Sequence, residues 1–171
     1  MTLRFVLSAL ALTIVTACTD LTSPSGVHLI TQAESNDVRA RHVDLINALR
    51  AERGLQPVQL SAQLTAAART HALDMSNQKR AWHFGSDGTS PKDRAQRAGY
   101  GGQVLSENIS ESTDNEIEVF QSWVSDPVTQ RVMLHPRANA VGFGWHQEPS
   151  GKLWWVQVFG GSAPGGFTPG S

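Results

Sequence analysis

The 171-residue chain contains a single cysteine, Cys18. One thiol cannot build an internal disulfide framework or a CxxC-type zinc site. Charge of one sign is also lacking: 14 basic and 15 acidic side chains leave a formal net charge of −1. Without a basic field to meet a phosphate backbone, nucleic acid is excluded as the expected partner. The long apolar run at the start, Phe5 to Val15, falls short of the about 20 residues that a spanning helix needs. No Gly-x-Ser-x-Gly segment occurs, so serine chemistry on a nucleophile elbow is not expected. There is no internal repeat. What is present, 40% hydrophobic and 17% charged residues, suffices for one folded domain with a core.

Arg4, the apolar run and the small residues Thr16 and Ala17 follow the order of a secretory signal over residues 1–17. Val15-Thr16-Ala17-Cys18 resembles a bacterial lipobox, and the only cysteine of the chain stands at its modified position. The resemblance implies a lipidated Cys18, acylated by a chain such as palmitate, that holds the protein to the membrane of the cell envelope without a spanning helix. Thr19 rather than Asp after the cysteine favours the outer membrane by the same resemblance. Residues 18–36, rich in Thr, Ser and Pro, read as a flexible tether. Residues 161–171, rich in Gly and Pro, read as a loose tail. The folded unit is expected over 37–160.

Within it, Val38, His42, Leu45 and Leu49 recur at helical spacing and Gly54 stops the helix. Ser61 is a suitable N-cap for a second helix with Leu64, Ala67, Ala68, His71, Ala72 and Met75 inward. Ser90-Pro91-Lys92-Asp93 opens a short helix that Gly99 closes. Thr113-Asp114-Asn115-Glu116 matches a capping box ahead of Ile117, Phe120, Trp123 and Val124. Asp126-Pro127 starts another short helix. The period then changes. Val141, Phe143 and Trp145 alternate with Gly142, Gly144 and His146 before a turn at Glu148-Pro149-Ser150-Gly151. Leu153, Trp155, Gln157 and Phe159 alternate again, opposite Trp154, Val156 and Val158, and 104–109 offers a further strand. Helices followed by an antiparallel sheet give the α+β class.

Several segments together resemble the CAP superfamily of SCP-like domains, in its bacterial secreted branch. They are Asn47 and Arg50, the block His83 to Pro91 with Asp93-Arg94 and Ala98-Gly99-Tyr100, Glu107-Asn108-Ile109, Trp123, Val141 to Gly144, and Trp155 with Gln157 and Phe159-Gly160. The resemblance implies an α-β-α sandwich with a small antiparallel sheet between helices. It also implies a central cleft that often carries two His and two acids able to hold a divalent metal. His83 matches the first His, Glu107 the first acid and Asp126 the second. The position of the second His, thirteen residues before Gly142, holds Thr129. A Thr hydroxyl is a poor zinc ligand, and Asp126 is a natural N-cap for its own helix. His135, six residues further on, lies about 120° away from the required helix face. His83, Glu107 and Asp126 therefore form a depleted zinc set, and His83 with Glu107 can equally form a structural hydrogen-bonded pair.

The expectation is an envelope-anchored CAP-domain lipoprotein. Its cleft, with His83, Glu107, Asp126 and Thr129, binds a small apolar or lipid ligand or a partner. The alternatives are a hydrolase using Glu107 as general base with His83, metal-assisted or not, and a structural or interaction module with a vestigial cleft. His71, Trp123 and Trp155 are read as core, Trp82 and Trp154 as candidates for surface contact, and Ser86 with Asp87 as turn stabilisers.

Overall fold

The computed structural model describes residues 26–112 and 114–163. The expected signal at 1–17, Cys18 and most of the expected tail lie outside the described residues. Five helices and four strands follow in the order α1 (Gln32–Ala51), β1 (Gln59–Leu60), α2 (Ala62–Gln78), α3 (Pro91–Arg97), β2 (Gln103–Ser112), α4 (Glu116–Ser125), α5 (Pro127–Met133), β3 (Ala140–Gln147) and β4 (Leu153–Gly161). The sheet order is β1-β3-β4-β2. β4 lies between β3 and β2 and pairs antiparallel with both, so every residue of this strand is buried.

Alternation along β4 sorts its side chains into two cores. Leu153, Trp155 and Phe159 join Val38, Ile46 and Leu49 of α1, Val119, Phe120 and Trp123 of α4, and Met133 of α5. Trp154, Val156 and Val158 join Leu64, Ala67, Ala68, Ala72 and Met75 of α2 and Ala95 of α3. The α-β-α sandwich is the consequence: one strand apolar on both faces needs cover on both. On the α2 side the approach is very close. A Cβ at Gly142 would collide with the backbone of Leu64, and one at Gly144 with Arg69, so glycine at alternate positions of β3 lets the helix rest on the strand.

Four details depart from the sequence reading. Helix α1 begins at Gln32, inside the stretch expected to be a tether, because Thr31 and Glu34 form a reciprocal capping box. The segment before it is tied down by Ile30 N–H donating to Gln147 Oε1 and by Gln147 Nε2 donating to the His28 carbonyl. The cap of α4 is Asn115, with Glu118 closing the box, two residues later than the Thr113–Glu116 pattern. The two-residue β1 pairs parallel with Ala140 and Val141, so the sheet is not wholly antiparallel. Trp154 is fully buried rather than a surface contact. Its indole Nε1 donates to Glu148 Oε1, which also accepts from Ser76 and Lys79 and so ties the β3–β4 turn to the end of α2.

Two polar side chains of α1 are completely buried. Arg50 donates to the carbonyls of Gln56, Met133, His135 and Ala138 at 2.8–3.1 Å, which fastens α1 to the α5–β3 connection. His42 stacks on Phe143 with ring centroids 3.6 Å apart, and Phe143 stacks in turn on Trp155. Its Nε2 accepts from Gln157 Nε2 at 2.8 Å. Desolvation pushes the His42 pKa down from 6.5 to about 3, against a smaller opposing effect of the Glu116 backbone. Burial lowers that of His71 as well.

A depressed histidine pKa means that the unfolded chain takes up the proton first. Stability from the neutral rings is complete above the unfolded value of 6.5 and drains away as pH falls toward the folded value of about 3. Urea unfolding should therefore show stability falling by up to roughly 1.4 kcal/mol per pH unit for His42 in this window. His42→Phe, which keeps the stacked ring, should remove that part of the slope. An unchanged slope in the variant would show that His42 is not the group responsible.

Candidate functional site

Helix α2 ends at Lys79 in a left-handed conformation, φ 53°. The chain then turns into a loop that carries Trp82 and His83 back toward α3. Two buried side chains hold this loop by its backbone. His71 Nε2–H donates to the Trp82 carbonyl at 2.9 Å, and Arg94 Nη1 donates to the carbonyls of His83 and Thr89 at 3.0 and 2.9 Å. Further along, Asp87 Oδ1 accepts from Thr89 N–H and Oγ1, Gly88 takes a positive φ of 78°, and Ser86 donates from both backbone and hydroxyl to Asp74. The Thr89 hydroxyl and the Arg97 guanidinium hold the Asp87 carboxyl below its usual range. Ser86 and Asp87 thus act as turn stabilisers, as the Ser-Asp-Gly sequence suggests.

Glu107 projects from β2 toward the same loop, and both of its oxygens are occupied. His83 Nδ1–H donates to Oε1 at 2.8 Å, and Arg94 Nη2 donates to Oε2 at 2.7 Å. The Glu107 and Arg94 side chains are 2% and 6% exposed, whereas the His83 side chain is 52% exposed. The centre is therefore a buried carboxylate–guanidinium pair with an imidazole hinged on its outer side. The fold brings His83 and Glu107 together, and the sequence reading missed the part played by Arg94. Its signal is present in the sequence: an Arg in the last turn of a short helix that is capped by Ser90 and Asp93.

The other two expected cleft residues serve helix α5 instead. Asp126 Oδ1 accepts from Val128 N–H at 2.7 Å as the N-cap. The Thr129 hydroxyl donates to the Trp123 carbonyl at 2.8 Å, and its own carbonyl accepts from Asn108 Nδ2 at 3.0 Å. Among the described residues no three His, Cys, Asp or Glu side chains are grouped to hold one metal ion. The Arg94 guanidinium also places a positive charge on the oxygen of Glu107 that a second ligand bond would use. A zinc ion, which wants three or four protein ligands, does not fit this set of residues.

On the other side of Arg94 a groove of about 390 Å³ runs between α2 and α3. Ala66, Ala67 and Ala98 give it an apolar lining, and His71, Asp74 and Arg94 are among the polar groups around it. Arg94 thus borders the groove while clamping the His83–Glu107 pair.

The family model of the cysteine-rich secretory protein family, CAP, matches residues 43–159. The chain belongs to the CAP family. The uncharacterised protein YkwD of Bacillus subtilis is 29% identical over 118 residues, which are 69% of this chain and 45% of that protein. The chain thus spans less than half the length of this relative. Among solved structures, an extracellular SCP-domain protein of Bacillus anthracis aligns with a TM-score of 0.67 at 22% identity, covering 74% of this chain and 41% of that one. An outer surface protein of Borrelia burgdorferi aligns with the same TM-score of 0.67 at 16% identity, covering 75% and 95% of the two chains. These likenesses establish the CAP fold that the sequence motifs suggested. No helix among the described residues is long and apolar enough to cross a membrane.

The unequal burial of the two partners of Glu107 sets the expected outcomes. Arg94→Met strands a buried carboxylate and should lower the unfolding free energy by about 3 kcal/mol or more. His83→Ala removes a half-exposed partner and should cost about 1 kcal/mol or less. Chemical denaturation of both variants checks this, and equal losses would contradict the clamp. Isothermal titration of the wild-type chain with zinc should give no saturable heat.

Proposed function

We propose that this CAP domain is a lipid-anchored binding module of the cell envelope, held through Cys18, that accommodates a small apolar or lipid ligand. The observation that carries this reading is the state of Glu107. A general base must offer a free lone pair to water or substrate, and a metal ligand must offer one to the ion. Here the Glu107 side chain is 2% exposed and its charge is balanced by Arg94, so the lone pairs left beside its bonds to His83 and Arg94 do not face open water. Chemistry at Glu107 would require dismantling the pair that fixes the loop. Binding requires no such rearrangement, because the groove beside Arg94 already has a size and an apolar lining suited to a small ligand. The extracellular and outer-surface placement named for the two structural neighbours is consistent with an envelope location for this chain.

One observation favours a second reading, a hydrolase. With Nδ1–H fixed on Glu107, the His83 ring presents Nε2 away from the carboxylate on a half-exposed face. An oriented imidazole of this kind can serve as a general base.

Purification of the full chain from membranes, followed by solvent extraction and mass spectrometry, should yield a co-purifying lipid or other small apolar molecule. Ala98→Phe, placed to fill the groove, should purify without it. Repeatedly empty wild-type protein would sink the binding reading and leave an interaction module. Cys18→Ser should abolish incorporation of labelled palmitate and release the protein from the envelope, and continued labelling of that variant would exclude the lipobox assignment.

A further inference from the structure

The loop that carries His83 also presents two aromatic side chains that neither the Glu107 pair nor the groove beside Arg94 uses. Phe84 is 49% exposed, and its ring meets that of Trp82 edge-on with centroids 5.8 Å apart. Trp82 Nε1 donates to Gln78 Oε1 at 3.2 Å, which ties the indole to the end of α2. The exposed Arg80 places its guanidinium carbon 3.9 Å from the Trp82 ring centroid. Arg80 has no ion pair among the described residues. The carboxylates around the loop are engaged elsewhere: Asp74 by Ser86 and Gln78, Asp87 by Thr89 and Arg97, and Glu148 by Ser76, Lys79 and Trp154. His71 and Arg94 hold the loop backbone from beneath, so the two rings are presented in place and little ordering is needed for them to make a contact.

The start of the described chain comes to the same end of the molecule. Val27 packs on Gly151 of the β3–β4 turn, and Gln147 at the end of β3 bonds the backbone of His28 and Ile30. In the same turn Glu148 accepts from Ser76 and Lys79, the last residues before Arg80. The entry of the chain, the turn and the loop with Trp82 are therefore linked by direct contacts. Only residues 19–25 lie between Cys18 and Gly26, and a segment of that length spans at most about 28 Å. A lipidated Cys18 keeps this end of the domain within that distance of the bilayer. An indole with an apolar ring beside it and a cation over its face suits the boundary of an anionic bilayer. The rings enter below the headgroups, and the guanidinium stays level with the phosphates.

We propose that Arg80, Trp82 and Phe84 rest on the anionic surface of the membrane that holds Cys18, and so fix how the domain stands on it. The inference rests on the proposed lipidation of Cys18 for its geometry, while the contact itself is made by the loop. Arg80 and Phe84 are exposed and hold no other element in place, so they are the residues to vary.

The test uses the full chain, purified from membranes and reconstituted in vesicles of phosphatidylcholine with or without phosphatidylglycerol, all with brominated acyl chains. Bromine quenches an indole that enters the bilayer, and Trp82→Phe identifies the emission of Trp82 by difference. That emission should be quenched, and more strongly where phosphatidylglycerol is present. Arg80→Gln should lower the ratio of docked to undocked protein, read from this quenching, by about fivefold. Phe84→Ser should lower it by about fivefold or more. Arg53→Gln, exposed beyond the far end of α1, and Val128→Ser, exposed on α5 across the sheet, should leave it unchanged. Unquenched Trp82, or quenching that neither Arg80→Gln nor Phe84→Ser reduces, would overturn the proposal. Equal quenching in both vesicle compositions would overturn its anionic preference. Palmitate labelling of the same preparations keeps the two ideas apart. Labelled protein with Trp82 unquenched retains the anchor and rejects the docking, whereas quenched Trp82 in unlabelled protein rejects the lipid anchor and retains the docking.

Discussion

Much of the site depends on one guanidinium. Arg94 donates to the carbonyls of His83 and Thr89 and to the carboxylate of Glu107, and so joins the two ends of a loop to an outer strand of the sheet. A buried charge of either sign is costly alone, and each of the two is tolerable only because the other is present. The pairing also explains why the loop needs little regular structure. Its backbone carbonyls are satisfied from beneath by Arg94 and by His71, so its side chains are left to face outward. His83 is the outward-facing member of the group, held in register by the same carboxylate.

The clamp would have no fixed base without the close contact between α2 and β3. Glycine at 142 and 144 removes the side chains that would otherwise hold helix and strand apart. The helix then brings His71 beneath the loop, while Ser76 and Lys79 reach Glu148 at the β3–β4 turn. Packing on the other face is of a different kind, with stacked and edge-on rings of His42, Phe143, Trp155, Phe120 and Trp123 filling the space under α1 and α4. β3 thus turns small residues to one face at close range and Phe143 to the other, while β4 buries large side chains on both, Trp154 on one and Trp155 and Phe159 on the other.

This division explains what could be read from the sequence. Helices α2, α3 and α5 and the β3–β4 hairpin follow from local spacing and caps, because Ser61, Ser90 and Asp126 act within a few residues of themselves. The capping box at Thr31 and Glu34 is equally local, but the Ser, Thr and Pro content around it reads as a tether. The two-residue β1 has no periodicity to detect, and it exists only because β3 lies alongside. Arg94 and Glu107 are separated by thirteen residues and a change of element, so only a family motif hints that they belong together. The role of His42 is hidden for the same reason. It is legible as one position of an apolar helical stripe, but not as the partner of Gln157 more than a hundred residues away.

Thr129 shows how a single replacement redirects a cleft. The family resemblance calls for an imidazole at this place, which would offer a lone pair to a metal. A threonine hydroxyl instead turns back on its own helix and donates to the Trp123 carbonyl. Its carbonyl is taken up by Asn108, which also donates to Gln157 Oε1, and Gln157 in turn donates to His42. A polar chain therefore crosses the sheet from α5 to α1, with its members largely buried and bonded to one another. Such a chain rigidifies a core, and removing the side chain of Asn108, Gln157 or His42 leaves a buried neighbour short of a partner. Its geometry secures helices rather than presenting ligands, while the carboxylate on the neighbouring residue of β2 is neutralised by arginine. The physical direction of both changes is the same, away from coordinating an ion and toward holding a fixed surface on which something else can settle.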